Sequence, residues 1–247
     1  MGEWFDDDAF WVELYPYLFP RDRMESAVEE VESLLALVPY QGGSVLDLCC
    51  GPGRHAIALA QRGLSVTGVD RTAFLLEEAR QRAKIARVEV EWVLSDMREF
   101  VRPGTFDLAL NMFTSFGYFS DESHNLEVLA NLRASLESGG TLVMEMAGKE
   151  YIAAEFQPTI SEQSPDGSLL VRRQEIVDDW TRVRNEWTVV KEGTAKTFRF
   201  QNFLYSGQEL KERLERAGFT KVRLYGDLDG AAYGRESRRL VAVAIKD

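Results

Sequence analysis

Ser44-Val45-Leu46-Asp47-Leu48-Cys49-Cys50-Gly51-Pro52-Gly53-Arg54-His55 runs from a short apolar segment into a glycine-bearing turn and on into a helix. Val45, Leu46 and Leu48 read as a buried strand. Gly51 and Gly53 let the chain turn sharply and let its backbone approach a ligand, with no Cβ in the way. The helix predicted from Arg54 to Arg62 aims its free N–H groups and positive dipole end at whatever occupies the turn. Leu64 to Val69 is a second apolar strand, and it ends in Asp70. An acid at that tip, roughly 20 residues beyond the glycine turn, can accept both hydroxyls of a ribose. Together these elements predict a nucleoside site at the carboxyl edge of a parallel sheet.

The turn narrows the choice of nucleoside. A dinucleotide fingerprint needs a third glycine for close helix–strand packing, and none follows Gly53 at that spacing. A phosphate-cradling loop needs Gly-Lys-Ser/Thr, which is absent. Asp47 instead stands inside the strand, two residues before the turn. An acid there repels a pyrophosphate but can hold an ammonium group. A ligand with both a ribose and an ammonium is S-adenosylmethionine.

Residues 44–146 resemble the class I S-adenosylmethionine-dependent methyltransferases. Val-Leu-Asp-Leu-Cys-Cys-Gly-Pro-Gly-Arg-His is similar to that family's first motif, with Cys49 where the family usually has glycine. Val-Thr-Gly-Val-Asp70 is similar to the second motif, and Ser95-Asp96-Met97 to the adenine-reading segment. Phe106-Asp-Leu-Ala-Leu-Asn111 and Leu136-Glu-Ser-Gly-Gly-Thr-Leu-Val are similar to the fourth strand and the turn into the fifth. The resemblance implies a cofactor set of Tyr15, Asp47, Cys49, Gly51, Gly53, Asp70, Arg71, Leu75, Asp96, Met97, Asn111 and Phe113. Within it, Leu75 lies under the adenine and Arg71 can stack on its other face. Asp96 accepts the adenine amino group, the Met97 N–H donates to a ring nitrogen, and Asn111 accepts from the methionine ammonium. Phe113-Thr-Ser-Phe-Gly-Tyr118 resembles a segment of small-molecule methyltransferases, including those that dimethylate amino-sugar nucleotides. His124 or Tyr118 is the expected catalytic base if one is needed. His55 is expected to pack or hydrogen-bond locally.

Composition bounds the alternatives. The 247 residues, 45% hydrophobic and 28% charged, suit a single large domain with an insert. A net charge of −11 argues against nucleic acid or an anionic membrane as partner. Arg80, Arg82, Lys84 and Arg87 read as a solvated helix face. The adjacent Cys49 and Cys50, the only cysteines, predict neither a disulfide framework nor a metal site. An acidic start and no membrane-length apolar run predict no signal peptide, no membrane span and a cytoplasmic protein.

Four regions are expected. Residues 1–40 form an N-terminal helical segment, with aromatics including Trp4, Phe5 and Tyr15, breaks at Pro16 and Pro20, and a helix from Asp22 to Leu37; the resemblance implies that it folds over the cofactor as a lid. Residues 41–150 form the S-adenosylmethionine-binding core, with a helix over 72–86 and a third strand from Val88 to Leu94. Residues 151–205 alternate with period 2 in three segments, turning at Asp178-Asp and Glu192-Gly, and predict an inserted three-stranded antiparallel meander; the resemblance implies that such an insert covers the substrate pocket or forms dimer contacts, and a cover is the expectation. Residues 206–247 supply a helix capped by Ser206 and a closing hairpin whose long connection can bring Tyr233 and Arg239 to the substrate. The expected fold class is α/β, a doubly wound, seven-stranded, mostly parallel Rossmann-like sheet with an antiparallel last strand. The expected function is methyl transfer from S-adenosylmethionine to a small-molecule N or O nucleophile, without a metal, by a monomer or homodimer. The alternatives are a nicotinamide-dependent oxidoreductase and a non-catalytic S-adenosylmethionine-binding regulator.

Overall fold

The structure, a computed structural model, describes residues 3–40, 42–164 and 166–247. Gln41, where the expected core begins, lies outside the described residues. Seven strands form the main sheet: β1 (Ser44–Leu48), β2 (Ser65–Asp70), β3 (Glu91–Leu94), β4 (Phe106–Asn111), β5 (Leu136–Met146), β10 (Thr220–Tyr225) and β11 (Leu240–Ile245). Their order is β10-β11-β5-β4-β1-β2-β3. β1 to β5 run parallel, and β11 pairs antiparallel with both β5 and β10. The chain winds away from β1 in both directions, so the crevice between β1 and β4 is the switch point where ligands of open α/β sheets bind.

Alternation along the strands makes two apolar faces. Leu46, Leu48, Leu142, Met144, Leu240 and Ala242 pack on one side, with Leu129 and Leu132 of α5 (Glu122–Ser135) and Leu210 and Leu214 of α7 (Gly207–Arg216). Val45, Val66, Leu108, Val143, Val241 and Val243 face the other side. There they meet Val31 and Leu34 of α2 (Arg21–Leu37) and Ala56 and Leu59 of α3 (Arg54–Gln61). α4 (Ala73–Ala86) closes at Arg87, whose φ of 57° lets Val88 N donate back to Ala83 O. β3 therefore begins at Glu91 rather than at Val88.

The N-terminal region holds more helix than expected. A 3₁₀ turn (Trp4–Asp6) leads into α1 (Asp8–Leu18), with Pro16 inside it. Pro16 removes one i→i−4 hydrogen bond near the end of the helix, and the complete burial of Leu14 and near-complete burial of Phe10 hold α1 in place. The insert is a second, four-stranded antiparallel sheet rather than a three-stranded one. After the short α6 (Lys149–Glu155) come β6 (Thr159–Gln163), β7 (Leu169–Val177), β8 (Arg182–Lys191) and β9 (Thr194–Phe203), each paired with the next. β6 is a short edge strand, Thr-Ile-Ser-Glu-Gln, with too little apolar alternation to announce itself. Among the described residues no helix is long and apolar enough to cross a membrane.

Candidate cofactor and acceptor site

A cavity of about 360 Å³ opens at the β1/β4 switch point, within the span of small-molecule sites, roughly 300–1,000 Å³. The carboxyl ends of β1, β2 and β3 form one wall, and β7, β8 and β9 of the second sheet form another. The N-terminal segment and the loop after β4 close the sides.

The core wall carries three carboxylates, each tied down by nearby backbone. Asp70 Oδ2 accepts from Gly51 N at 2.8 Å and Oδ1 from Thr72 N at 2.9 Å. Each oxygen keeps a lone pair for another donor. Burial raises the Asp70 carboxyl above its ordinary value, against the pull of those two N–H groups. Asp47 is buried and accepts from Ala56 N at 3.1 Å. Burial pushes it up to about 7, opposed by the Arg54 charge. At Asp96, burial works upward, but the Arg98 guanidinium, gripping both carboxylate oxygens at 2.8–3.0 Å, overcomes it and holds the carboxyl low.

Cys49, Gly51, Arg71, Leu75, Met97, Phe113 and Tyr118 also line the cavity, as the sequence leads one to expect. Cys49 takes a φ of 63° and its Sγ lies 3.4 Å from Met97 Sδ. Arg71 is ion-paired with Asp6 and stacks over Phe5, 4.7 Å from the ring centroid. Phe113 and Thr114 both hold φ near +57°, a conformation costly for residues with a Cβ. Their loop is fixed through Glu145 at the end of β5. Glu145 Oε2 accepts from Phe113 N at 2.8 Å and its carbonyl from Thr114 N at 3.0 Å.

Other expected site residues lie elsewhere. Tyr15 faces α4, where its hydroxyl meets Glu78 at 3.4 Å and Arg82 at 3.3 Å and its ring packs on Phe74. The aromatic over the glycine turn is Phe19, one helical turn later, whose ring would lie 3.4 Å from a Cβ at Gly51. Gly53 caps α3 at φ 75°, and a Cβ there would meet Trp92 at 2.5 Å. Its lack of a side chain serves packing. Asn111 is buried behind the cavity wall. Its Nδ2 donates to Leu48 O at 3.2 Å, and Oδ1 has no partner among the described residues. His124 sits outside the cavity at the start of α5, half-buried, 3.3 Å from Glu127 and edge-on to Phe119. Tyr233 is held away by Glu150 at 2.5 Å.

Two groups escaped sequence reasoning. The first is an ion cluster on Glu30 of α2. It accepts from Arg54 Nη1 at 2.5 Å, from His55 Nε2 at 2.9 Å and from Arg239 Nη2 at 3.0 Å. Burial alone would raise the Glu30 carboxyl; the His55 hydrogen bond and the surrounding cations hold it far below its ordinary range. Burial drives His55 down to about 4, so near neutrality the ring is uncharged and donates from Nε2. Arg239 therefore serves this cluster rather than the cavity, and His55 reaches across to α2 rather than bonding locally. The second group is a polar stripe on the inner face of the second sheet: Arg172, Gln174, Asn185 and Asn202, interleaved with Trp187 and Phe200. Its signal was available. The inward positions of β8 read Val183, Asn185, Trp187, Val189, and a polar residue breaks an otherwise apolar alternation.

Residues 45–140 match the family model of a methyltransferase domain. A putative methyltransferase of Geobacillus sp. (strain WCH70) is 25% identical, the alignment covering 98% of this chain and 99% of the relative. A solved S-adenosylmethionine-dependent methyltransferase from Clostridium acetobutylicum shares the fold at a TM-score of 0.78 and 14% identity, covering 96% of this chain and 97% of its own. An amino pentose methyltransferase from Micromonospora echinaspora, solved with S-adenosylmethionine, shares it at 0.66 and 21% identity, with 91% of each chain covered. The strand order, the site at the switch point and these likenesses agree: residues 45–140 carry a methyltransferase domain, and the chain as a whole is similar to S-adenosylmethionine-dependent methyltransferases.

Proposed function

We propose that the chain methylates a small-molecule amine, with S-adenosylmethionine on the core wall of the cavity and the acceptor against the second sheet. The residues fit the cofactor. Asp47, Asp70 and Asp96 make an acidic, acceptor-rich wall, suited to hydroxyl, amino and ammonium groups and unsuited to a pyrophosphate. Asp70 takes the ribose, Asp96 and the Met97 N–H the adenine edge, and Leu75 and Arg71 its faces. Gly51 leaves room at the turn, and Cys49, Phe113 and Asp47 border the methionine end. When bound, S-adenosylmethionine supplies an electrophilic methyl group on a sulfonium. The chain's own part is to align the acceptor and exclude water. Residues 3–40 act as the lid and the 151–205 insert as the acceptor's cover, both supported by their place in the cavity lining.

One observation favours nitrogen over oxygen: among the described residues the acceptor side of the cavity offers no base poised near neutrality, the Asp47 carboxyl at about 7 lying on the cofactor wall. Desolvation drives the Tyr118 phenol well above its ordinary value, His55 is held down at about 4 beside Glu30, and His124 stands outside. An amine needs only to arrive neutral, whereas a hydroxyl needs a positioned base. The amino pentose methyltransferase among the structural neighbours supports the same choice. With a net charge of −11 the chain acts without nucleic acid or membrane, in the cytoplasm, as a monomer or homodimer. The test is release of S-adenosylhomocysteine with matched primary amines, secondary amines and phenols. Turnover confined to the amines is expected, and phenols turned over with no amine accepted would reverse the assignment.

A further inference from the structure

The inner face of the second sheet holds polar atoms that its own fold leaves unused. Trp187 Nε1 and Arg172 Nε are buried and without a hydrogen-bond partner among the described residues. The two residues are directly paired across β7 and β8, the arrangement that brings side chains on one face together. The guanidinium lies 5.7 Å from the Trp187 ring centroid, and both residues line the cavity. The orphan acceptor of this wall, Asn202 Oδ1, is paired with Val183, four residues back along β8 from Trp187. The two donors are thus adjacent to each other and remote from it.

Charge points the same way. The Arg172 guanidinium is met by one carboxylate, Glu162, 3.3 Å from Nη2, and the Glu162 side chain is 42% exposed. Arg54, on the cavity lining, and Arg23 stand over the Phe113 ring. Arg23 spends its hydrogen bonds on the carbonyls of Tyr17 and Leu18. The cavity's other carboxylates, Asp47, Asp70 and Asp96, lie on the opposite wall. A neutral carbonyl would satisfy the two N–H groups and leave a half-buried cation undercompensated. An oxyanion satisfies both requirements through charge-assisted bonds.

We propose that the acceptor is an acid as well as an amine, its carboxylate or phosphate oxygens bound by the N–H groups of Trp187 and Arg172. This rests on the amine-methyltransferase reading above and names the acceptor's second group. The test is an NMR titration of the full chain saturated with S-adenosylhomocysteine, following the indole N–H resonance that disappears in Trp187→Phe. Benzoate, phenyl phosphate and neutral benzamide are the probes, chosen to suit the aromatic lining. Benzoate or phenyl phosphate is expected to shift that resonance saturably, and whichever binds identifies the anion. Arg172→Met weakens the binding at least tenfold, while the remaining indole signals stay in place and report an intact fold. Benzamide leaves the signal unmoved. The inference is overturned if neither anion shifts the resonance, if benzamide shifts it equally, or if Arg172→Met binds the anions unchanged. Shifts caused by S-adenosylhomocysteine alone are recorded first. A chain that takes the anions but not the nucleoside keeps this site and loses the methyltransferase reading, and the reverse loses only this site.

Discussion

The two walls of the cavity follow opposite rules. On the core wall every carboxylate is satisfied by neighbouring atoms: Asp70 by Gly51 and Thr72, Asp47 by Ala56, Asp96 by Arg98. Each of those partners lies on the same strand–turn–helix unit or on the unit beside it, so a few residues of local geometry set the site. On the sheet wall Arg172 Nε, Trp187 Nε1 and Asn202 Oδ1 are buried with no partner among the described residues, and pairing between β7 and β8 sets the two donors side by side. A buried polar group without a partner costs roughly 1–3 kcal/mol, so a fold keeps several on one surface at a loss unless a ligand satisfies them. The first wall is complete in itself and shaped for a fixed ligand; the second is completed by what binds.

The sharpest way to break this contrast is to disturb the local geometry of the core wall. Gly53→Ala forces a side chain into φ 75° and against Trp92 at 2.5 Å. The left-handed backbone costs about 1–2 kcal/mol and the overpacking about 1–3 kcal/mol. The melting temperature is expected to fall by on the order of 10 °C. An unchanged melting curve by circular dichroism would mean that Trp92 moves freely and the turn is not tightly built.

Next in size is the ribose acid. Asp70→Asn keeps an acceptor for one backbone N–H but loses the charge. A hydrogen bond to a charged group contributes about 1.5–3 kcal/mol, so S-adenosylmethionine affinity should drop roughly 10- to 100-fold. Trp187→Phe, on the opposite wall, should leave that affinity within about twofold. Equal losses in the two variants, measured by calorimetry, would abolish the division of labour between the walls.

The ion cluster beneath the site gives a pH signature. His55 is held at about 4, below its unfolded value of about 6.5. Between those two values the unfolded chain binds a proton that the folded chain does not, so stability falls as the pH falls. At pH 5 the loss relative to pH 7.5 is about 2 kcal/mol, at 1.36 kcal/mol per unit. Asp47, raised to about 7, works in the opposite sense over the same range. Glu30, held low, keeps its stabilising contribution above the ordinary carboxylate range and loses it only in stronger acid. His55→Gln retains a donor for Glu30 and removes the titration, while Asp47 stays common to both proteins. The melting temperature of the wild type should therefore fall relative to that of His55→Gln between pH 7 and 5. Parallel curves would show that His55 titrates in the fold as it does in the unfolded chain, and a relative rise of the wild type would show that the fold holds it protonated.

The smallest effect belongs to His124. It is half-buried and outside the cavity, so His124→Ala should change kcat/KM less than about twofold. A hundredfold loss would restore it as a base and show that α5 moves toward the acceptor.

What the sequence disclosed follows from the same contrast. Asp47, Gly51, Asp70 and Asp96 were legible because strand, turn and acid come in fixed order within short spans. The two last strands were legible as apolar runs, and the antiparallel pairing of β11 followed from the resemblance to methyltransferases that close their sheet with such a hairpin. Glu30 was not, because it sits among Glu25, Glu29 and Glu32 on an amphipathic helix, and only the packing of α2 against α3 separates it from solvated neighbours. Tyr15 and Phe19 are four residues apart and chemically alike. Which one faces the glycine turn depends on how α1 rotates against α4. β6 and the helix running through Pro16 were hidden because local propensity argued against them and tertiary packing decided. The polar stripe was visible as broken alternation, but its meaning depends on the register that sets Trp187 opposite Arg172.

The most direct measurement is calorimetric titration of the wild-type chain with S-adenosylmethionine, with NADH as the control. One site per chain with micromolar affinity, and no heat with NADH, is the expected result. Binding of NADH in place of the sulfonium nucleoside would contradict the account, returning Asp70 to the ribose of a dinucleotide and removing the ground for reading the opposite wall as an amine acceptor's site.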